Sequence, residues 1–282
     1  MPEKVAVLTG ASSGFGLLTS VELAKAGFRV IASMRDLEKR ERLLQAAASA
    51  KVSDRIDVRA LDVTQVDAMP EFVESVMRDY GRIDVLVNNA GFAVGGFAED
   101  IQLGELRLQF ETNFFGAVAM TKAVLPVMRQ QRSGHIIQIS SIGGLQGAVS
   151  VSSYSASKHA LEGWSESLRL EMNSLGIQVV LVEPGAFDTG VWTSGAVMGQ
   201  EAKKKTSPNF QRSLRMREVI ARIPKANPIA VARTIVAIAQ NPHPKLRYLV
   251  GRDANMQLAM KRFLPWKWYE KLIANYLGID QG

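Results

Sequence analysis

The chain of 282 residues contains no cysteine and only three histidines. Without cysteine, disulfides, thiolate metal sites and thiol catalysis are excluded. No carboxylates cluster around His135, His159 or His243, so we predict no metal site. No apolar run approaches the roughly 18–20 residues that a membrane-spanning helix requires. Lys4 is followed at once by a short apolar run, so we expect no signal sequence and a cytoplasmic protein.

Basic residues are concentrated near the C-terminus. The net charge is +7, and residues 201–271 hold 16 lysines and arginines against four acidic residues. Such asymmetry is typical of an anionic partner or surface, and a solvated basic face without a partner explains it equally well. In the tail, aromatic residues and lysines recur at helical spacing: Trp266, Lys267, Tyr269, Lys271, Ile273 and Tyr276. This pattern fits peripheral membrane contact, while packing on the domain itself or on a neighbouring subunit is the interpretation we favour. We predict no nucleic-acid partner.

A glycine-rich turn follows the first apolar run. Val5 to Leu8 is typical of a buried strand, and Gly10, Gly14 and Gly16 precede a helical pattern. A strand, a glycine-rich turn and a helix together indicate a dinucleotide-binding unit. The glycines let the backbone approach a pyrophosphate, and the helix N-terminus attracts its charge.

Tyr154 and Lys158 lie four positions apart at the start of a second helical pattern. That spacing is about one helical turn, so both side chains leave the same helix face. A nearby ammonium favours the phenolate and lowers the pKa of a tyrosine from its usual value of about 10. The pair therefore predicts a proton donor and acceptor that operates near neutral pH.

Seven short apolar segments alternate with helical patterns along the chain. We predict strands at 5–8, 29–33, 56–61, 83–87, 135–140, 177–183 and 246–250, with the longest helical patterns at 103–131 and 153–174. This order predicts one α/β domain over 1–282, with a Rossmann-like, doubly wound parallel seven-stranded sheet and helices on both faces. Residues 188–226 interrupt the alternation, and we interpret them as a substrate lid. Residues 252–282 form a C-terminal extension.

Seven motifs extend this interpretation: TGASSGFG at 9–16, LDV at 61–63, NNAG at 88–91, ETNFFG around Asn113, ISS at 139–141, YSASK at 154–158 and PGAFDT at 184–189. In content and order they resemble the short-chain dehydrogenase/reductase family. Length and C-terminal extension are most like its hydroxysteroid and retinol dehydrogenase-type members. Phe15 departs from the family, which more often has isoleucine there.

The resemblance implies a catalytic set of Asn113, Ser141, Tyr154 and Lys158. Tyr154 would exchange a proton with the substrate oxygen, and Ser141 would donate a hydrogen bond to the same oxygen. Lys158 would lower the pKa of Tyr154 and hold the nicotinamide ribose, and Asn113 would support Lys158 through water.

The resemblance also implies a cofactor site assembled from six parts of the chain. With Tyr154 and Lys158, its residues are Gly10, Ser12, Ser13, Gly14, Phe15, Gly16, Arg35, Asp62, Val63, Asn89, Ala90, Gly91, Pro184, Gly185, Phe187 and Thr189.

The choice between NADP(H) and NAD(H) depends on the end of the second strand. An NAD-binding enzyme places an acidic residue there, whereas Met34 occupies that position here and Arg35 follows. A planar guanidinium suits a 2′-phosphate. We interpret Asp36 as a helix N-cap, although a shift of one residue would make it a ribose ligand. NADP(H) is therefore favoured over NAD(H).

The predicted substrate wall is apolar and consists of Phe92, Val94, Leu145, Val149, Phe187, Val191 and Trp192. We predict that Ser141, Gln146, Tyr154 and Trp192 contact the substrate. The expected function is an NADP(H)-dependent oxidoreductase for a steroid, retinoid or lipid-like carbonyl. Two alternatives stay open: a carrier-linked 3-ketoacyl reductase and a non-catalytic NADP(H)-sensing protein. The resemblance further implies a homodimer or homotetramer.

Overall fold

The computed structural model describes residues 3–189 and 196–277. Its strands are β1 Val5–Thr9, β2 Arg29–Met34, β3 Ile56–Ala60, β4 Val85–Asn88, β5 Ala93–Gly95, β6 Gly134–Ile139, β7 Ile177–Pro184, β8 Ala196–Met198 and β9 Arg247–Val250. Its helices are α1 Gly14–Lys25, α2 Glu41–Ser49, α3 Met69–Tyr80, α4 Leu103–Phe110, α5 Gly116–Gln131, α6 Ser152–Met172, α7 Phe210–Arg222, α8 Ile229–Gln240, α9 Arg252–Phe263 and α10 Trp266–Leu277.

Seven of these strands form one parallel sheet in the order β3-β2-β1-β4-β6-β7-β9. Successive residues of a strand point to opposite faces, so Val7 and Leu8 belong to two different hydrophobic clusters. On one face, α1 and α8 cover the sheet, and on the other α3 and α5 do so. The predicted fold class is confirmed. The sheet order reverses direction between β1 and β4, the place where open α/β sheets bind ligands.

The helical pattern predicted at 103–131 is divided in the structure. A π-helical turn at Glu111–Phe115 separates α4 from α5 and contains Asn113. Because the extra residue of a π turn changes which side chains face inward, such turns often occur at functional sites. The sequence has no proline between residues 103 and 125, so this helix-breaking residue does not mark the turn.

The connection at 188–226 has more regular structure than we expected. Within its described part, β8 pairs in parallel with β5, and α7 follows. This part packs on the loop after β5, where Ser207 donates a 2.7 Å hydrogen bond to Asp100 and Arg212 stacks on Phe97 at 4.4 Å. Its assignment as a substrate lid stays a prediction. Val191 and Trp192 lie outside the described residues.

Over 3–189 and 196–277, none of the helices combines the length and the apolar character needed to cross a membrane.

Candidate active site

The glycine-rich turn after β1 brings the backbone of α1 against the turn itself. A Cβ atom at Gly16 would lie 2.1 Å from the Gly10 carbonyl oxygen, and Gly10 has a φ of +73°. Asn89 at the end of β4 donates hydrogen bonds to the carbonyls of Thr9 and Gly10, at 2.9 and 3.0 Å. The turn is thereby held open at the N-terminus of α1, where backbone amides attract a phosphate group.

A cleft runs along the carboxyl ends of the strands from this turn to α6. Of the predicted cofactor residues it contains Gly10, Ser12, Ser13, Gly14, Phe15, Arg35, Asp62, Val63, Asn89, Ala90, Gly91, Tyr154, Lys158 and Thr189. Five further lining residues were not assigned to the cofactor from the sequence, Met34, Leu61, Thr112, Ile139 and Ser140, and the lining also includes Phe92 of the predicted substrate wall. Leu61, Thr112, Ile139 and Ser140 lie within the quoted motifs, and only the folded chain brings them together around the cleft.

The remaining predicted cofactor residues lie just behind the cleft. Gly16 packs on the turn, and Phe187 meets Phe15 edge to face with ring centroids 5.6 Å apart. Phe15, the departure from the family pattern, is thus a packing partner of Phe187. Gly185 follows Pro184 at the end of β7 and donates a 2.9 Å hydrogen bond to the Val250 carbonyl oxygen.

Tyr154 and Lys158 project from α6 into the inner end of the cleft, close to Ser141. All three are at least nine-tenths buried. Lys158 Nζ donates a 2.7 Å hydrogen bond to the Ile139 carbonyl oxygen and lies 5.8 Å from the centroid of the Tyr154 ring. The Ser141 hydroxyl accepts a 3.1 Å bond from the Gly143 amide, which fixes its position at the end of β6.

Burial dominates the protonation of this pair. It lowers the pKa of Lys158 to about 8, against the opposing charge of Glu162. It also raises the pKa of Tyr154, and a hydrogen bond with Ser141 opposes that rise. The sequence led us to expect a lowered pKa for Tyr154. The direction is the reverse because removing a phenolate from water costs more than its polar neighbours return.

Asn113 connects the π-helical turn to the catalytic helix. Its amide exchanges hydrogen bonds with the backbone of Phe92, at 3.0 and 2.9 Å, and donates a 3.2 Å bond to the Ser157 hydroxyl. Since Ser157 precedes Lys158 on α6, Asn113 fixes the distance between that helix and the loop after β4. The direct partner of the Lys158 ammonium is Ile139.

Arg35 and Asp36, the two residues after β2, have different environments. Asp36 caps the helical turn at Leu37–Arg40 by accepting a 3.0 Å bond from the Glu38 amide, as predicted from the sequence. That hydrogen bond is the main reason why the pKa of the Asp36 carboxyl is lowered, and a contact with Lys39 lowers it further. Arg35 is exposed, lines the cleft and has no ion-pair partner within 3–189 and 196–277.

The C-terminal helices lie against the predicted substrate side. Gln146 is buried and forms hydrogen bonds with both helices. Its amide nitrogen donates a 2.5 Å bond to Gln257, and its amide oxygen accepts a 3.5 Å bond from the Tyr269 hydroxyl. Lys261 donates a 2.6 Å bond to the Leu145 carbonyl oxygen. Gln146 is therefore engaged by α9 and α10, more than 100 residues away, and no local motif indicates those partners.

The described members of the apolar wall differ in exposure. Phe92, Leu145 and Val149 are half-buried, whereas Val94 and Phe187 are buried.

The geometry agrees with what this chain resembles among known proteins. The model of the family described as short chain dehydrogenase matches residues 4–196. The uncharacterized oxidoreductase YusZ of Bacillus subtilis is 41% identical, covering 98% of this chain and 99% of its own. A 3-ketodihydrosphingosine reductase of Bacteroides thetaiotaomicron is 37% identical over 94% of both chains. Human retinol dehydrogenase 8 is 38% identical over 86% of this chain and 80% of its own.

Solved structures show the same likeness. A short-chain dehydrogenase from Streptomyces avermitilis superposes with a TM-score of 0.81 at 33% identity, covering 99% of this chain and 98% of that one. A family member from Burkholderia phymatum in complex with NAD gives 0.79 at 25% identity, over 93% of each chain. ElxO with NADP bound gives 0.73 at 26% identity, over 88% and 96%. The chain belongs to the short-chain dehydrogenase/reductase family, as an oxidoreductase that acts on CH–OH groups with a nicotinamide cofactor.

Proposed function

We propose that this protein is an NADP(H)-dependent oxidoreductase that interconverts a ketone or aldehyde and an alcohol on a lipophilic substrate. The observation that carries the proposal is that Tyr154 and Lys158 line the dinucleotide cleft side by side and that Ser141 forms a hydrogen bond with Tyr154. The non-catalytic alternative does not require that these side chains meet.

The residues divide the proton chemistry among them. When bound, the nicotinamide supplies or accepts the hydride. In the reductive direction the Tyr154 hydroxyl donates its proton to the carbonyl oxygen, while the Ser141 hydroxyl donates a hydrogen bond to the same atom. A raised pKa keeps Tyr154 protonated for this role at neutral pH. Lys158, when charged, stabilises the phenolate that the transfer leaves.

Arg35 and Asp36 support the preference for NADP(H). Asp36 uses its carboxylate to cap the turn at Leu37–Arg40, which argues against a role as the ribose ligand. Arg35 stands beside the cleft with an accessible guanidinium that a 2′-phosphate would pair with. Because structural neighbours include complexes with either cofactor, the preference rests on these two residues.

The proposed substrate is lipophilic because the wall beside the catalytic residues is apolar. Phe92, Leu145 and Val149 leave part of their surface accessible there. Two of the similar proteins are named for lipid-like molecules, 3-ketodihydrosphingosine and retinol. The alternative of a carrier-linked 3-ketoacyl thioester is favoured only by the basic segment at 201–225, which would suit an acidic carrier.

The C-terminal helices support peripheral contact with an anionic membrane. Tyr269 is 7% exposed and its ring contacts Trp266 at 5.5 Å between centroids, while several large apolar side chains at the end of α9 and on α10 stay exposed. The exposed apolar patch, as we call it, consists of Phe263, Trp266, Trp268, Leu272 and Tyr276. Arg262, Lys267 and Lys271 lie among these residues. Exposed aromatic side chains with basic residues between them in the sequence suit a layer of anionic headgroups.

We also infer a homodimer or homotetramer that uses α4 and the π-helical turn. Leu103, Leu108 and Phe115 are 60%, 54% and 46% exposed, which is unusual for large apolar side chains on neighbouring turns. Light scattering after size-exclusion chromatography measures the oligomer. A double substitution of Leu108 and Phe115 by serine should dissociate it.

The substrate is identified by following oxidation of NADPH and, in parallel, of NADH. The panel contains a 3-ketosphingoid base, retinal, steroid ketones and a ketoacyl thioester on acyl carrier protein. The proposal expects turnover of one lipophilic carbonyl class with NADPH well ahead of NADH. Turnover of the carrier-linked thioester alone would favour the alternative reductase. An absence of turnover with intact NADPH binding would favour the sensing protein.

A further inference from the structure

A buried charge cluster lies directly behind the catalytic lysine. Tyr154, Lys158 and Glu162 follow one another at intervals of four on α6, so all three share one helix face. Arg247 on β9 contacts the carboxylates of Glu162 and Glu183 through the same nitrogen, Nη1. We refer to Glu162, Glu183 and Arg247 as the charge cluster.

The cluster contains two carboxyl groups and one guanidinium. The side chains of Glu162 and Glu183 are 6% and 2% exposed, and a single guanidinium serves both. Burial, and then the charge of Glu162, raises the pKa of Glu183 to about 7. Burial also raises the pKa of Glu162, while Ser140 and Arg247 oppose this change. Arg247 thus favours an ionised Glu162, and the cation on the other side of Glu162 is Lys158.

The loop after β6 is shaped to accept the Glu162 carboxylate. A Cβ atom at Gly144 would lie 2.9 Å from Glu162 Cγ and 2.7 Å from the Ser140 hydroxyl oxygen. Glycine leaves this space free, so a carboxylate reaches the back of the catalytic loop. Glu162 can reach this position behind the loop without lining the cofactor cleft.

We propose that Glu162 is a positioning residue that keeps Lys158 in its charged form, and that Arg247 and Glu183 complete the charge cluster which holds Glu162 ionised. Lys158 is buried and its own hydrogen bond goes to a neutral carbonyl oxygen, so Glu162 is the carboxylate that acts on it. The inference rests on the proposed function, in which a charged Lys158 supports both cofactor binding and proton transfer.

A purely structural ion pair and a positioning residue make different predictions about pH. The ammonium form of Lys158 is present below its pKa and is lost as the pH rises through it. Without the charge of Glu162, the pKa of Lys158 would fall below about 8. The affinity for NADPH and the rate should then both decline at lower pH than in the unmodified protein. A structural ion pair would change stability and leave this decline where it is.

The experiment measures the dissociation constant of NADPH and kcat for carbonyl reduction from pH 6 to 10. Glu162→Gln should move the basic decline of both quantities down by about one pH unit, since a single close charge shifts a pKa by that order. The glutamine side chain of this variant would retain an oxygen for Arg247, and Arg247 keeps Glu183 and Glu166 as partners, so folding is expected. Glu162→Met conserves the volume and provides a second neutral variant.

Two further variants control for loss of charge in general. Glu166→Gln removes another carboxylate from Arg247, 2.5 Å away, but lies one turn farther from Lys158 and should move the decline much less. Glu162→Asp retains the charge and should restore most of the original profile. Unmoved declines in both neutral variants, or an equal shift in Glu166→Gln, would overturn the proposal. Failure of the unmodified protein to bind or oxidise NADPH would instead refute the proposed function.

Discussion

The Asp253 carboxylate accepts a 2.7 Å hydrogen bond from the Ala186 amide and thereby joins α9 to the loop after β7. A Cβ atom at Gly185 would lie only 2.4 Å from an oxygen of the same carboxylate, so only glycine fits there. The C-terminal segment therefore shapes the loop that the family resemblance assigns to the nicotinamide. A truncation that removes this segment would disturb the site as well as the surface.

Replacing Asp253 with alanine should lower both stability and cofactor affinity. The free energy of unfolding should fall by about 1–2 kcal/mol, because one charge-assisted hydrogen bond is lost in a half-buried position. Denaturant titration and NADPH binding measure the two effects. Met256→Ala, on the exposed side of the same helix, is the control. Equal behaviour of the two variants would exclude Asp253 as a link to the site.

Arg35→Glu should weaken NADPH binding about tenfold to a hundredfold while changing NADH binding little. The reason is that only NADPH carries the 2′-phosphate. Arg42→Glu makes the same change of charge at an exposed site on α2 and should affect neither cofactor strongly. Fluorescence titration with both cofactors gives the result. Parallel losses for NADPH and NADH would remove Arg35 from the phosphate site.

Gly16→Ala should impair the glycine-rich turn. The added methyl would meet the Gly10 carbonyl oxygen at 2.1 Å, and backbone cannot yield as a flexible side chain does. Gly163→Ala is the matched control: a Cβ atom there meets nothing within 4 Å, and alanine in a helix is favoured over glycine by about 1 kcal/mol. We therefore expect a lower melting temperature for the first variant and a higher one for the second. The prediction for Gly16 would be contradicted by an unchanged melting temperature and unchanged NADPH affinity.

The sheet was predictable because its central strands, β1, β2, β4, β6 and β7, are short, apolar and largely buried. Each of the seven predicted strands overlaps a strand of the structure, with ends that differ by one or two residues. The pair β5 and β8 was missed, since three-residue strands have too little pattern to indicate them. The π-helical turn around Asn113 was also missed, because no proline marks it in the sequence.

Site contacts between residues close in sequence were predictable, whereas contacts between distant segments were not. Tyr154 and Lys158, four residues apart, define their geometry locally through one helix. The partners of Gln146 lie on α9 and α10, and Arg247 reaches Glu162 from β9. Such contacts depend on how the sheet order places distant strands and helices together. For the same reason the rise in the pKa of Tyr154 was missed, since burial is a property of the assembled cleft.

The exposed apolar patch should bind vesicles of anionic lipid. Co-sedimentation with phosphatidylserine-containing and with neutral vesicles, at low and high salt, measures the affinity. Replacing Phe263 and Trp268 by serine should weaken binding about tenfold or more, because both rings are over 70% exposed and available for insertion. Val66→Ser removes an exposed apolar side chain elsewhere and is the control. Equal binding to neutral and anionic vesicles would refute a contribution of the basic side chains to membrane binding.

The central claim is that the Tyr154 hydroxyl supplies the proton for a nicotinamide-dependent reduction. Tyr154→Phe removes one oxygen atom and conserves the ring beside Lys158. The measurement is kcat with NADPH and the carbonyl identified in the substrate panel, together with the dissociation constant of NADPH. Tyr276→Phe, at an exposed position, controls for loss of a phenol elsewhere. We predict a loss in kcat of about 10²–10⁴-fold for Tyr154→Phe with NADPH affinity nearly unchanged. A kcat close to that of the unmodified protein would contradict the account.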